Sequence, residues 1–262
     1  MTTLVCRVLS RLPVAHVALY GTLDTGSTVR MMVTLRDCLA EAPSVLIVDM
    51  QYVTVADEAS LRPLLELVAD ARTWPGARVA LCCATPAAKA MIAAAAMKEG
   101  PDMYPDVTSA TDAARSLPLS VRDVLTLLPA AEAPARSREF THDTCARWGI
   151  GRVGNLAELV TSELVTNAVV HARTAMTVTL RLVDNRLHVA VRDGDPRPMQ
   201  RPAPGNAGGP QDEHGRGLLL LDAMTDSWGC NPTADGKVVW ASIAVPGRPA
   251  AAGHAATGGV LG

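Results

Sequence analysis

Aromatic side chains are scarce, with one Phe, three Tyr and four Trp among 262 residues, or 3%. Cores must therefore be built mainly from Ala, Val and Leu, which fits a hydrophobic share of 48%. There is no strong charge of either sign: the formal net charge is −2, which argues against a duplex nucleic-acid surface as the main partner. No long apolar run is present either. The most apolar segment, AMIAAAAM at 90–97, is too short to span a bilayer. The start, MTTLVCRVLSRLPVAHVALYG, carries early arginines and no clean apolar stretch ahead of a small-residue cleavage site, so no signal peptide is read. The six cysteines form neither paired metal-ligand motifs nor a disulfide framework, and read as small buried hydrophobes in a reducing compartment. No internal repeat relates the two halves. These absences lead to the expectation of a cytoplasmic globular protein that neither enters a membrane nor binds nucleic acid directly.

What is present falls into two parts. LVCRVL and VAHVALY, followed by Gly21, Asp24 and Gly26, read as two strands and a turn. VRMMVTLRDCLAEA then has helical spacing, with Pro43 opposing its continuation. SVLIVDMQYV is a continuous apolar run, typical of a strand buried on both faces. Asp57 is placed to cap the helix in ASLRPLLELVADAR. ARVALCCA and PAAKAMIAAAAM complete a βαβα pattern to about residue 117, so residues 1–118 are expected to form a small α/β sheet with helices packed on it.

From Leu119 the composition shifts to Ala, Pro, Glu and Arg, and residues 119–133 are read as a junction between domains. A second domain is expected at 134–246 and a disordered tail at 247–262. The second domain has helices at about 134–148 and 153–172. Two alternating strands follow, AMTVTLRLVDN and RLHVAVRDG, joined at Asp184-Asn185. A breaker-rich stretch, DPRPMQRPAPGNAGGPQDE, reads as a mobile loop. HGRGLLLLDAMTDSWG is then a glycine turn opening a helix, and KVVWASIAV a last strand.

The long helix, NLAELVTSELVTNAVVHA, is the unusual element. At about 100° per residue, Glu163, Asn167 and His171 fall within roughly 80° of one another, on the flank shared by Leu156, Val160 and Leu164. A carboxylate, an amide and an imidazole on a face expected to be buried need partners or a polar cavity. An Asn amide oxygen is a hard ligand of the kind Mg2+ accepts beside waters and phosphates. A Glu one turn earlier can act as a base, whereas a histidine ending a helix more often caps or packs than catalyses.

Two later features join it. Asp193-Gly194, at a strand end, offers an acceptor for an exocyclic amine and a glycine that lets a ring approach the backbone. Gly215-Arg216-Gly217, opening a helix, suits phosphates through backbone N–H groups and the positive helix end. Each is commonplace alone; their order and spacing together are far more specific.

In that order, ELVTNAVVHA, VRDGDPRP and HGRGLLLL resemble the three boxes of the GHKL ATP-binding fold and, within it, the bacterial anti-sigma factor serine kinases. The resemblance implies a Bergerat α/β sandwich with ATP between sheet and helices. It puts Mg2+ on Asn167, adenine at Asp193 and Gly194, phosphates at Gly215, Arg216, Gly217 and Leu218, and a catalytic base at Glu163. The second box departs from the family's Asp-x-Gly-x-Gly: here it reads Asp193-Gly194-Asp195-Pro196-Arg197, without the later glycines.

Residues about 4–117 resemble a STAS domain, the fold of anti-anti-sigma factors, through the Gly21-x-Leu23-Asp24 turn and LIVDMQYVTVAD. In that family the Asp before the helix is followed by a phosphorylated Ser or Thr. Here the sequence is Asp57-Glu58-Ala59-Ser60, so a glutamate stands at the acceptor position. Glu58 either imitates a phosphoserine with about half its charge or is an ordinary acidic residue in a helix's first turn.

The resemblances together imply a partner-switching regulator that binds Mg-ATP and phosphorylates a Ser or Thr on an anti-anti-sigma-like STAS partner. The alternative is a non-catalytic, ATP-gated protein that sequesters a sigma factor or a STAS partner. Fusion in one chain raises the effective concentration of each half for the other, so an intramolecular STAS–kinase contact is expected. A homodimer stays open.

Overall fold

The computed structural model describes residues 3–82, 84–95, 101–117, 120–197 and 221–246. They form two five-stranded sheets. The first comprises β1 (Val5–Ser10), β2 (Val14–Leu23), β3 (Val45–Val55), β4 (Arg78–Cys82) and β5 (Asp102–Tyr104), in that spatial order. Only β1 runs antiparallel to its neighbour. Helices α1 (Thr28–Ala40), α2 (Arg62–Thr73) and α3 (Pro86–Ala95) cover one face, where Met31, Leu35, Leu64, Leu67 and Ile92 meet Val17, Leu46, Val48 and Leu81. Helix α4 (Val107–Arg115) covers the other, setting Ala110 and Ala114 on Val45, Ile47, Ala80 and Cys82. With both faces covered, β3 is buried without interruption from Val45 to Met50, as a continuous apolar run requires.

At the expected phosphorylation turn, Asp57 Oδ1 accepts from the Ser60 amide at 2.8 Å. Asp57 therefore caps the turn ahead of α2, whose regular residues begin only at Arg62, rather than the helix itself. Ser60 is fully buried and donates its hydroxyl to the Asp57 carbonyl at 2.7 Å, whereas Glu58 is exposed.

The second sheet is antiparallel throughout, in the order β6-β7-β8-β10-β9. Its strands are β6 (Val121–Leu127), β7 (Met176–Val183), β8 (Arg186–Asp193), β9 (Ser227–Pro232) and β10 (Lys237–Ala244). The stretch 119–133, expected to be a junction, is thus corrected in its middle: β6 pairs with β7 as an edge of this sheet. Strand β9 is a further element the sequence reading did not separate from the helix before it.

Helices α5 (Ala133–Arg147) and α6 (Gly154–Asn167) lie on one face of this sheet. Ala157, Val160, Leu164 and Val165 of α6 pack on Val178, Leu180, Val189, Val191, Val239 and Ala241. Where α5 meets α6 two buried hydroxyls touch: the Thr141 and Thr161 oxygens lie 3.2 Å apart, and the two donate to the Ser137 and Ala157 carbonyls at 2.8 and 2.7 Å. Small side chains bonded back onto their own helix let the two backbones approach without orphaned donors.

The opposite face carries the alternate residues, Arg181, His188, Ala190, Arg192, Val238 and Trp240, and the N-terminal half sits on it. Trp74, which follows α2, stacks on Trp240 with centroids 5.8 Å apart and rings 10° from parallel. Ala40, Ala190 and Val238 complete the patch. Gly229 of β9 lies under the Trp240 ring, where a Cβ would come within 2.7 Å. Buried Arg181 donates to the Pro75 carbonyl at 2.7 Å. Gly76, at φ +73°, approaches so closely that a Cβ would lie 2.7 Å from Val183 and 2.9 Å from His188. Arg192 bridges Asp37 of α1 at 2.8 Å and Asp235 at 2.7 Å. The expected contact between the halves is therefore made, and made on the sheet face away from α5 and α6.

Among the described residues no helix is long and apolar enough to cross a membrane.

Candidate nucleotide site

Helix α6 delivers Glu163 and Asn167, and its regular turns stop at Asn167. Residues Ala168–Ala172 form a π-helical turn, closed by Arg173 in the left-handed region at φ 55°. A wider turn rotates later residues away from a 3.6-residue projection, and such turns recur at functional sites. The expectation of a buried polar face from Glu163 to His171 is corrected accordingly. Glu163 and Asn167 are half-buried and His171 is exposed. Among the described residues, neither the Glu163 carboxylate nor the Asn167 amide makes a hydrogen bond or an ion pair. These two polar groups, one helical turn apart, are therefore open to water or to a polar ligand.

Strand β8 delivers Asp193 to the same face of the sheet. It is 4% exposed, and directly opposite it in the β8–β10 register stands Lys237, 5% exposed. The Lys237 ammonium lies 3.0 Å from Asp193 Oδ1 and 3.2 Å from Asp195 Oδ2, and donates to the Asp195 carbonyl at 3.0 Å. Asp193 Oδ1 also accepts from the Asp195 amide at 2.9 Å. Its Oδ2 has no bond among the described residues. Asp195 is held in turn by Arg197 Nε at 2.9 Å, and Arg197 donates to the His171 carbonyl at 3.1 Å. The Arg197 guanidinium first, and Lys237 after it, keep the Asp195 carboxyl well below the usual carboxylate range. Gly194 donates its amide to the Thr174 hydroxyl at 2.9 Å, and a Cβ at Gly194 would meet Thr174 at 3.3 Å. Thr174, Arg197 and Lys237 were not singled out from the sequence. Lys237 was recoverable, because pairing RLHVAVRD with KVVWASIA in an antiparallel register that buries both apolar faces sets it against Asp193.

Gly215, Arg216, Gly217 and Leu218, expected at the phosphates, lie outside the described residues.

The residues in place fit Mg-ATP. The Asn167 amide is a hard oxygen donor, Glu163 is a carboxylate one helical turn away with no partner among the described residues, and Asp193 has one oxygen unbonded among them. Among the described residues no group of three His, Cys, Asp or Glu could hold a metal unaided. An ion at Asn167 would therefore share its shell with phosphates and water, which is how Mg2+ is commonly held.

A family model described as the histidine kinase-like ATPase domain matches residues 109–243, half of the chain. The chain belongs to this family. A STAS domain model matches residues 10–110, ahead of the ATPase domain. The chain is thus a STAS domain followed by a histidine kinase-like ATPase domain, an α/β protein in both parts. That pairing fits partner-switching regulators. No curated protein matches the chain. Among solved structures, the anti-sigma factor antagonist SpoIIAA in its unphosphorylated form is similar at 15% identity and a TM-score of 0.36, over 44% of this chain and 100% of its own. An anti-sigma factor antagonist from Mycobacterium paratuberculosis is similar at 17% identity and a TM-score of 0.38, over 44% and 96%. A variant of RsbS from Moorella thermoacetica shares 20% identity at a TM-score of 0.36, over 42% and 94%.

Proposed function

We propose that the ATPase domain binds Mg-ATP between α6 and the sheet and acts as a protein serine/threonine kinase of the anti-sigma factor type. Its target is a separate STAS protein, and its own STAS domain is a docked regulatory module. The observation that carries the reading is the pair of half-buried side chains on α6, Glu163 and Asn167, which have no protein partner among the described residues, together with strand-end Asp193 on the sheet face that α6 covers.

In this reading the nucleotide supplies the phosphoryl group. Asn167 holds the magnesium ion, Asp193 and Gly194 receive the base, and Gly215, Arg216, Gly217 and Leu218 meet the phosphates. Glu163 accepts the proton of the partner's hydroxyl. The docked STAS domain is not itself the acceptor: its Ser60 is buried and bonded to its own turn, and Glu58 cannot take a phosphoryl group.

The second reading, an ATP-gated binder of a sigma factor or STAS partner, draws on the second box. One Asp193 oxygen is already committed to Lys237, and the later glycines of the family pattern are absent.

Transfer of labelled phosphate from Mg-ATP to a STAS protein with serine at the position of Glu58 separates the two. Removing a general base costs on the order of 100-fold or more, so Glu163→Ala should lose transfer by that factor while still binding ATP. Nucleotide binding with no transfer, unaffected by Glu163→Ala, selects the binder.

A further inference from the structure

The second box lacks the glycines of its family pattern, yet charged side chains hold it by four contacts, three to its carboxylates and one to its backbone. Lys237 is the centre of that arrangement. The residue is 5% exposed, and its ammonium touches Asp193 Oδ1, the Asp195 carbonyl and Asp195 Oδ2 within 3.2 Å. Arg197 then carries the chain of contacts from Asp195 to the His171 carbonyl, at the π-helical turn that ends the Asn167 helix. Backbone packing fixes the same spot independently. A Cβ at Gly236 would come within 1.9 Å of the Asp193 carbonyl oxygen, so the turn before Lys237 is pressed directly against the strand that carries Asp193.

The geometry points to Lys237 as a positioning residue for the nucleotide base. It balances the buried Asp193 carboxylate, holds Oδ1 so that Oδ2 alone is presented to an exocyclic amine, and with Asp195 and Arg197 braces the second box against the end of α6. An ion-pair brace here does what a glycine-rich turn would otherwise do. A buried carboxylate stripped of its counter-charge is strongly disfavoured, and a base-edge acceptor discriminates only while its aim is fixed.

This inference rests on the Mg-ATP reading, so its test includes a measurement made without nucleotide. Full-length protein is compared as wild type, Lys237→Met and Lys237→Arg. Binding of ATP is measured against binding of inosine triphosphate, whose base carries an oxo group where adenine has its amine. Exchange of the Asp195 amide, which is bonded to Asp193 Oδ1 at 2.9 Å, is followed in the unliganded protein. Lys237→Met should weaken ATP binding about tenfold or more, as expected when a polar group reading a base edge is lost. It should also reduce the preference for ATP over inosine triphosphate by a similar factor and speed Asp195 amide exchange, while Lys237→Arg restores most of all three.

Unchanged preference, or tighter ATP binding in Lys237→Met, overturns the inference: the second result would mean that the ammonium competes with the base. A weakening equal for both nucleotides also overturns it, because it reports general loss of packing. Should wild-type protein bind no ATP, the Mg-ATP reading fails, and the brace then stands or falls on Asp195 amide exchange alone. If Lys237→Met does not fold, Arg197→Ala, at a side chain 76% exposed, carries the test. It should speed Asp195 exchange and weaken ATP binding, and no change in either contradicts the brace.

Discussion

The two faces of the second sheet are built from alternate residues of the same strands and meet different fates. On one face Trp240, Ala190, Arg181 and His188 are closed over by the STAS domain, through Trp74, Pro75 and Gly76. On the other, Asp193 and Lys237 sit beneath α6, whose Glu163 and Asn167 are left without protein partners among the described residues. Arg192 and Asp193 are neighbours in sequence, yet the first is bound to Asp37 of the STAS domain and the second to Lys237 on the α6 face, where the nucleotide is proposed to bind. One face is therefore spent on holding the two domains together. The other keeps polar groups without protein partners among the described residues, and it is there that the proposed nucleotide site lies.

The largest expected effect breaks the docked face. Trp240→Ala removes a stacked, buried ring and should cost about 3–5 kcal/mol, with a fall in the unfolding midpoint and protease cleavage between the domains. If the faces are independent, ATP affinity changes little by comparison. A loss of ATP binding as large as the loss of stability would join them.

Acid should act on the same face next. Burial first, then Arg181 and Arg186, push the His188 imidazole down to about 3. Its folded value thus lies below an unfolded value of about 6.5. The unfolded chain binds the proton more readily, so the stability contributed by neutral His188 is whole above about pH 6.5 and drains as pH falls toward 3. Between pH 7 and pH 5 the loss should be about 2 kcal/mol, measured as denaturant unfolding at each pH. His188→Phe should flatten that slope, and an unaltered slope would assign it to other groups.

The smallest expected effect sharpens the boundary between the faces. Asp37→Ala removes one of two carboxylates on half-buried Arg192, leaving Asp235, and one of two on Arg11, leaving Glu41. It should cost no more than about 1 kcal/mol, seen as a shift of a few degrees or less in the unfolding midpoint. An effect on ATP affinity above about threefold (roughly 0.7 kcal/mol) would show that Arg192 transmits between its neighbour Asp193 and the STAS domain.

Much of the arrangement was legible in the sequence, and what was missed has physical reasons. The buried strand β3 announced itself because a strand covered on both faces must be apolar at every position. Strands β6 and β9 did not, since edge strands tolerate the prolines and glycines that otherwise mark loops. Pro118 and Pro129 bracket β6, and β9 holds Gly229 and Pro232. Arg181 and His188 occupy polar positions of alternating strands yet are 2% exposed each. Period-two patterning tells which residues share a face but not what covers it, and here another domain does. Asn167 and Glu163 stood out in the sequence because a carboxylate and an amide on an apolar helix are conspicuous, and Asp193 because it ends an apolar strand. Their companion Lys237 was hidden at the start of an ordinary strand, visible only once the register was known.

The central claim is that the α6 face of the sheet, and not the STAS-covered face, holds Mg-ATP. The most direct measurement is the ATP affinity of the wild type against Asn167→Ala and Asp193→Ala in the full-length chain, by calorimetric titration with magnesium. Removing a side chain that contacts a metal or a base edge should weaken binding at least about tenfold (roughly 1.4 kcal/mol) in each variant, with the unfolding midpoint little changed without ligand. Wild-type affinity in both variants would contradict the account and place the nucleotide elsewhere.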